Sequence, residues 1–292
     1  MKRLLASALL LLTSNGAWAR DWYAPIHEGK SYVNPNLTLA RAQKHPKPRW
    51  NGQLVLWSGR LRQVRRNGQG WQMKLETPQG LVPVRCPRPV LTLKPDPREG
   101  CQVAIKGTLR LTQGRLAELE GRSIILLEPH HWAPHRTPEE FLSQWIAFHC
   151  PDEKPAYAQG VARSILAEAS KHKLDPWLLA SLLQVESAYR KDAVSPSGAI
   201  GLGQLMPFTA EGLGVDAWNP EENVAGCAKM LSGLLQGWNS PLDPRALALA
   251  SYNAGPSLVR QLQSVPDIPE TNNYVYFIGM LQAHLSRLGG TT

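Results

Sequence analysis

Residues 177–189 read WLLASLLQVESAY, an almost wholly apolar run that carries one carboxylate, Glu186. Asp175-Pro176 in front of it pairs an N-capping side chain with the residue favoured at the first helical position, so a helix is predicted over 176–187. Within it Leu179, Leu182, Leu183 and Glu186 fall at helical spacing on one stripe, which places Glu186 on the buried face. Desolvation and the negative end of the helix dipole both favour the neutral carboxyl there. A carboxyl kept protonated near neutral pH is a general acid. An ordinary solvated helix Glu is the competing reading, and the rest of the chain decides between them.

The remaining helices of the second half announce themselves in the same way. Thr137-Pro-Glu-Glu140 has the form of a capping box, and Asn219-Pro220 and Asp243-Pro244 repeat the start signal. Helices are predicted near 138–149, 156–171, 176–187, 220–237, 244–253, 257–264 and 271–287. The long Gly-rich stretch after the third helix, SPSGAIGLGQLMP (Ser195–Pro207), reads as a functional loop. Gly198, Gly201 and Gly203 allow close backbone approach, and Gln204 brings an amide suited to a sugar hydroxyl or acetamido group. ALASYNAGP follows with Tyr252 and Asn253 at a helix end, then PETNNYV with Tyr274.

The first half differs. Residues 1–19 have a basic start, an apolar core too short to span a bilayer, and small residues at Ala17 and Ala19, which is the pattern of a signal peptide cleaved after Ala19. An exported protein, periplasmic or envelope-associated, with no later spanning segment is expected. Removing those residues lowers the formal charge from +9 to +7. Residues 20–136 hold 20 Lys+Arg against 8 Asp+Glu, whereas residues 137–292 hold 10 against 15, so the two halves have different partners. Residues 20–49 read as an extended arm, 50–128 as a basic β module, 129–137 as a linker and 138–292 as the helical domain. In the β module GQLVLWSGRL, WQMKLET, GLVPVR, CQVAIKGTLRL, RLAELEG and RSIILLE are short, often alternating segments between Gly, Pro and Asn. They suit an OB-like barrel or a small sandwich.

Cys86, Cys101, Cys150 and Cys227 all lie after the signal. Export permits disulfides, and of the three possible connectivities the pairs within each half, Cys86–Cys101 and Cys150–Cys227, are the expected ones. His130, His131 and His135 lie in a Pro-containing linker with no further ligand spacing, so no metal is expected.

Glu186-Ser187, SPSGAIGLGQLMP, Asn219 to Asn223, SYNAG and PETNNYV occur in one order, and in that order the chain resembles the SLT-type lytic transglycosylases of lysozyme-like fold over roughly residues 150–290. The resemblance implies a multi-domain chain, the all-β module followed by a mainly α lysozyme-like domain. It implies Glu186 as the single catalytic acid/base. Ser195, Gln204 and Met206 would line the glycan cleft, Tyr252 and Asn253 would sit beside the acid and the reacting sugar, and Tyr274 would approach Glu186 from the last helix. Two positions depart from the pattern. Gly203 stands where Met is usual, and Cys227 stands where a Gly is usual four residues after Asn223.

The implied reaction cleaves the β-1,4 bond between N-acetylmuramic acid and N-acetylglucosamine in peptidoglycan. Glu186 protonates the glycosidic oxygen, then takes a proton from the sugar's own C6 hydroxyl, which closes a 1,6-anhydro ring. Two-carboxylate glycosidases need a second group, whereas this intramolecular attack has a high effective molarity and needs no cofactor. A hydrolytic lysozyme on the same fold would need a base, and Asp192 is the nearest later carboxylate. A third reading is a cell-wall-binding assembly factor of an envelope secretion or transfer machine. The basic module, with Trp50, Trp57 and Trp71 among its arginines, would bind anionic cell wall or an envelope-complex protein. No RNA-binding signature appears, and nucleic acid is not an expected partner.

Overall fold

The computed structural model describes residues 51–67, 70–87, 91–92, 99–113, 115–128, 137–238 and 243–290, together with Ala42 and Lys47. The signal peptide, nearly all of the arm, and His130, His131 and His135 of the linker lie outside the described residues. The chain divides into two compact units, the strands with Asp267–Tyr274 in one and the remaining helical part in the other.

The strand unit is one sheet, not two facing sheets. It contains β1 (Leu54–Asn67), β2 (Gly70–Thr77), β3 (Gly80–Pro87), β4 (Leu91–Thr92), β5 (Gln102–Thr112) and β6 (Arg115–Glu128). RLAELEG and RSIILLE, read as separate segments, are joined in β6. β1 is long enough to pair with β5 through Leu54–Arg60 and with β2 through Arg60–Asn67, with a register shift between Arg62 and Arg65. The antiparallel run β3-β2-β1-β5-β6 is joined by a parallel pairing of β3 with β6, so the ladder of strands forms a closed circuit.

Alternation decides which side of this sheet is dry. Trp71 faces Cys86, Met73 faces Val84, and Leu75 faces both Val82 and Leu61 across the ladders, and all of them are buried. Trp57 and Trp71 belong to this core, which removes them from the surface expected to bind an acidic polymer. Trp50 lies outside the described residues. The outer side carries Arg62–Glu76, Arg85–Glu118 and Arg110–Glu120 pairs, so part of the module's positive charge is neutralised locally.

The helical part contains α1 (Pro138–His149), α2 (Pro155–His172), α3 (Pro176–Ser187), α4 (Pro207–Leu213), α5 (Pro220–Gln236), α6 (Pro244–Ala254), α7 (Pro256–Leu262) and α8 (Pro269–Gly289). Each begins at a proline, whose missing N–H costs nothing in the first turn. Thr137, Asp175, Asn219 and Asp243 cap their helices through side-chain oxygens, as the sequence predicts. α4 was not among the predicted helices. Its seven residues show no apolar periodicity, and Met206-Pro207 is the one local signal for its start.

α3 is the central element. Every residue from Leu178 to Val185 is buried, so its apolar face is the whole circumference rather than one stripe. A helix apolar all round is one enclosed by its neighbours. Ser181 and Gln184 are the buried polar residues inside it; the Ser181 hydroxyl donates to the Trp177 carbonyl, and both ends of the Gln184 amide have partners. Trp145 Nε1 donates to Gln184 Oε1 at 2.6 Å, which turns the Gln184 amide nitrogen toward His149 Nε2 at 3.0 Å. The His149 Nδ1 hydrogen then meets the Trp145 carbonyl at 2.8 Å. Because indole is only a donor, this chain of bonds fixes both the amide orientation and the imidazole tautomer.

Candidate active site

Glu186 lies one residue from the end of α3 and is partly exposed, between buried Val185 and buried Ser187. The stripe places it on the buried face of the helix, and the structure leaves it partly exposed there. The chain then leaves the helix through two non-glycine residues in the left-handed region, Ala188 (φ 56°) and Tyr189 (φ 62°). Such a pair is costly and persists only when its surroundings hold it. Here Cys150 Sγ donates to the Ala188 carbonyl at 3.0 Å, Tyr157 donates to the Tyr189 carbonyl, and the Tyr189 hydroxyl donates to Ala180 at 2.9 Å.

Ser187 joins the acid's helix to the Gly-rich loop. Its hydroxyl donates to the Leu202 carbonyl at 2.7 Å and accepts from Arg190 N–H at 3.1 Å. The loop is folded by bridges Val194–Ile200 and Ile200–Leu205. Asn223, completely buried, staples it from α5. It accepts from Gly203 N–H at 2.8 Å and donates to the Ile200 and Ala217 carbonyls at 3.0 and 2.8 Å. Gly201 has φ 76° and a Cβ there would strike the Asn223 amide and the Ala217 carbonyl, so this position excludes any side chain.

The residues implied to bind glycan are not alike in their surroundings. Ser195 is half-buried, and its hydroxyl accepts from Ala199 N–H at 3.0 Å. Gln204 has φ 51°, and its amide donates to the Ala193 and Gly201 carbonyls at 3.1 and 2.9 Å. Its amide nitrogen therefore holds the loop. Met206 is half-buried at the N-cap of α4. Tyr252 and Asn253 are half-buried near the end of α6, and the Tyr252 hydroxyl donates to the Gly203 carbonyl at 2.8 Å. Tyr274 has no exposed surface and is an interior residue.

The expected disulfides are not formed. All four cysteines are free and buried. In the helical part each thiol is held locally: Cys150 by the Ala188 carbonyl, and Cys227 between Asn223 Oδ1 at 3.5 Å and the Tyr252 hydroxyl at 3.2 Å. Burial pushes Cys227 up to about 12, the Tyr252 hydroxyl acts against that shift, and the Glu186 charge adds to it. Asp192, the candidate base for hydrolysis, is exposed, and its charge is felt instead by Cys150 and Tyr157. Sequence reading assigned no role to Gln184, Ser187 or Asn223 individually; each is a polar residue inside an otherwise apolar or Gly-rich context, which was the available signal. Among the described residues no group of three or more His, Cys, Asp and Glu is placed to hold a metal.

These features define a helical domain built around one part-open carboxylate and a stapled loop. Residues 163–275 match the family described as the Transglycosylase SLT domain. The transglycosylase of Enterobacteria phage PRD1 is 44% identical over 69 residues, which is 23% of this chain and 26% of that protein. A membrane-bound lytic murein transglycosylase F from Yersinia enterocolitica is 36% identical over 128 residues, 41% of this chain and 26% of that protein. The chain thus spans about a quarter of the length of these curated relatives. Among solved structures, the 70 kDa soluble lytic transglycosylase of Escherichia coli aligns over 53% of this chain and 31% of its own, at 20% identity and a TM-score of 0.40.

Proposed function

We propose that the chain is a peptidoglycan lytic transglycosylase in which Glu186 is the single acid/base. The observation that carries this reading is the placement of Glu186: the last outward opening of a helix buried on all sides, one residue before the Ser187 tie to the Gly-rich loop. Protonated Glu186 delivers its proton to the oxygen linking N-acetylmuramic acid to N-acetylglucosamine. As a carboxylate it then receives the proton of the muramoyl C6 hydroxyl, whose oxygen bonds to C1 and closes the 1,6-anhydro ring. No water enters the product, and a half-buried site favours the internal nucleophile over solvent. Ser195, Met206, Asn253 and the Gln204 oxygen line the glycan path, with Tyr252 beside the acid. The exposure of Asp192, and its action on Cys150 and Tyr157 rather than on Cys227, support this reading over hydrolysis.

The closed circuit of strands supports an OB-like barrel for the N-terminal module. We assign it to binding anionic cell wall or an envelope-complex partner, in a protein exported to the periplasm or cell envelope. Among the described residues no helix is long and apolar enough to cross a membrane. Mass spectrometry of a peptidoglycan digest tests the reaction. Muropeptides one water lighter than hydrolysis products, ending in anhydro-muramic acid, are expected; reducing ends would replace this reading with the lysozyme one.

A further inference from the structure

Position 203 has no side chain, and the space one would use is filled from across the site. A Cβ on Gly203 would overlap the Cys227 sulfur and press on Leu183 Cδ2 at 3.2 Å. Cys227 is completely buried, one helical turn after Asn223 on α5. Its sulfur lies 3.2 Å from the Tyr252 hydroxyl, and that same hydroxyl donates to the Gly203 carbonyl at 2.8 Å. Backbone of 203, sulfur of 227 and hydroxyl of 252 therefore meet at one point. Asn223 Oδ1 closes the group, accepting from Gly203 N–H and lying 3.5 Å from the sulfur. The two departures from the resembled pattern, Gly for Met at 203 and Cys for Gly at 227, thus occupy one volume.

We infer that Gly203 and Cys227 are a reciprocal exchange of bulk between the loop and α5, and that Cys227 is the positioning residue that fixes the Tyr252 hydroxyl against the Gly203 carbonyl, where the proposed function sets it next to the acid. This rests on the transglycosylase reading of Glu186. Being fully buried, Cys227 cannot touch glycan, so it acts through Tyr252. Removing the sulfur takes one contact from the Tyr252 hydroxyl and opens an adjacent void. The ring gains freedom at the reacting end of the site while the glycan path is unchanged. The loss therefore falls on kcat and not on KM.

The test uses the full chain, soluble peptidoglycan oligomers as substrate, and thermal midpoints for every variant. Cys227→Ala, which keeps the helix, is expected to lower kcat ~3- to 30-fold with KM within about twofold, a size typical of coupled neighbours. Cys227→Ser, which keeps a polar atom against Tyr252, recovers part of that loss. Tyr252→Phe added to Cys227→Ala lowers kcat by less than the product of the two single effects. Gly203→Met alone lowers the thermal midpoint, and Gly203→Met with Cys227→Gly together are more stable and more active than either alone. Independent effects in both double variants, or a Cys227→Ala effect confined to KM, would overturn the inference. Glu186→Gln serves as the separate control. If it stays active, the acid reading fails, while the paired thermal midpoints still decide the exchange of bulk. If it is inactive and the couplings are absent, only the inference about Cys227 fails.

Discussion

The Ser187 hydroxyl donates to the Leu202 carbonyl at 2.7 Å, tying the helix that carries Glu186 to a loop fifteen residues further along. The same oxygen accepts from Arg190 N–H, so one small buried side chain holds the acid, the left-handed turn and the loop in register. Ser187→Ala removes both bonds and leaves a carbonyl without its donor. A loss of ~1–3 kcal/mol in unfolding free energy is expected, with a fall in turnover larger than the fraction unfolded explains. Urea titration and initial rates on the same preparation measure the two.

Asn223 does for the loop what Ser187 does for the helix end. Asn223→Leu keeps the approximate volume but strands the Gly203 N–H and two carbonyls, at ~1–3 kcal/mol for each group left unsatisfied. Hydrogen exchange reads this locally. The Gly203 amide should lose protection first, while amides at the middle of α3 keep theirs.

Gln184 sits at 0% exposure between an indole donor and an imidazole acceptor. Gln184→Met fits the space but satisfies neither, so it should destabilise by ~1–3 kcal/mol or more despite raising the apolar content of the core. Trp145 fluorescence in the folded variant should shift as its hydrogen bond is lost. An unchanged denaturation midpoint would contradict the network.

Burial pushes the thiols of Cys86, Cys150 and Cys227 from 9.0 up to about 12. At Cys150 the Arg190 charge opposes that shift. A group whose folded pKa is raised stabilises fully below its unfolded value and loses that stabilisation as pH climbs to the folded one. Between about pH 9 and 12 each thiol should therefore steepen the fall of stability with pH by about 1.4 kcal/mol per unit. Replacing the three by alanine should flatten that slope relative to the parent chain. At pH 8 a thiol reagent should label them only after unfolding.

What was legible in the sequence is what local chemistry encodes. Asp175-Pro176 and Asn219-Pro220 mark helix starts because cap and helix are neighbours in the chain. Glu186 stood out because a carboxylate inside an apolar run has no cheap structural explanation. The rest depended on distance along the chain. Gln184 finds Trp145 and His149 more than thirty residues earlier, and nothing near it names them. The Cys150–Cys227 pairing failed because each thiol already has partners within its own corner of the fold. Gly203 and Cys227 read as two unrelated departures until their shared volume is seen. Tyr274 carried a motif's signature but not its exposure, which only packing sets.

The central claim is that one carboxylate does the chemistry. The most direct measurement is the rate of peptidoglycan solubilisation by the full chain and by Glu186→Gln, with thermal midpoints recorded on both. The account predicts a ~10²- to 10⁴-fold loss of rate, the range for removing a general acid, in a protein whose midpoint is not lowered. A Glu186→Gln chain that still releases muropeptides at a rate near the parent's would contradict it.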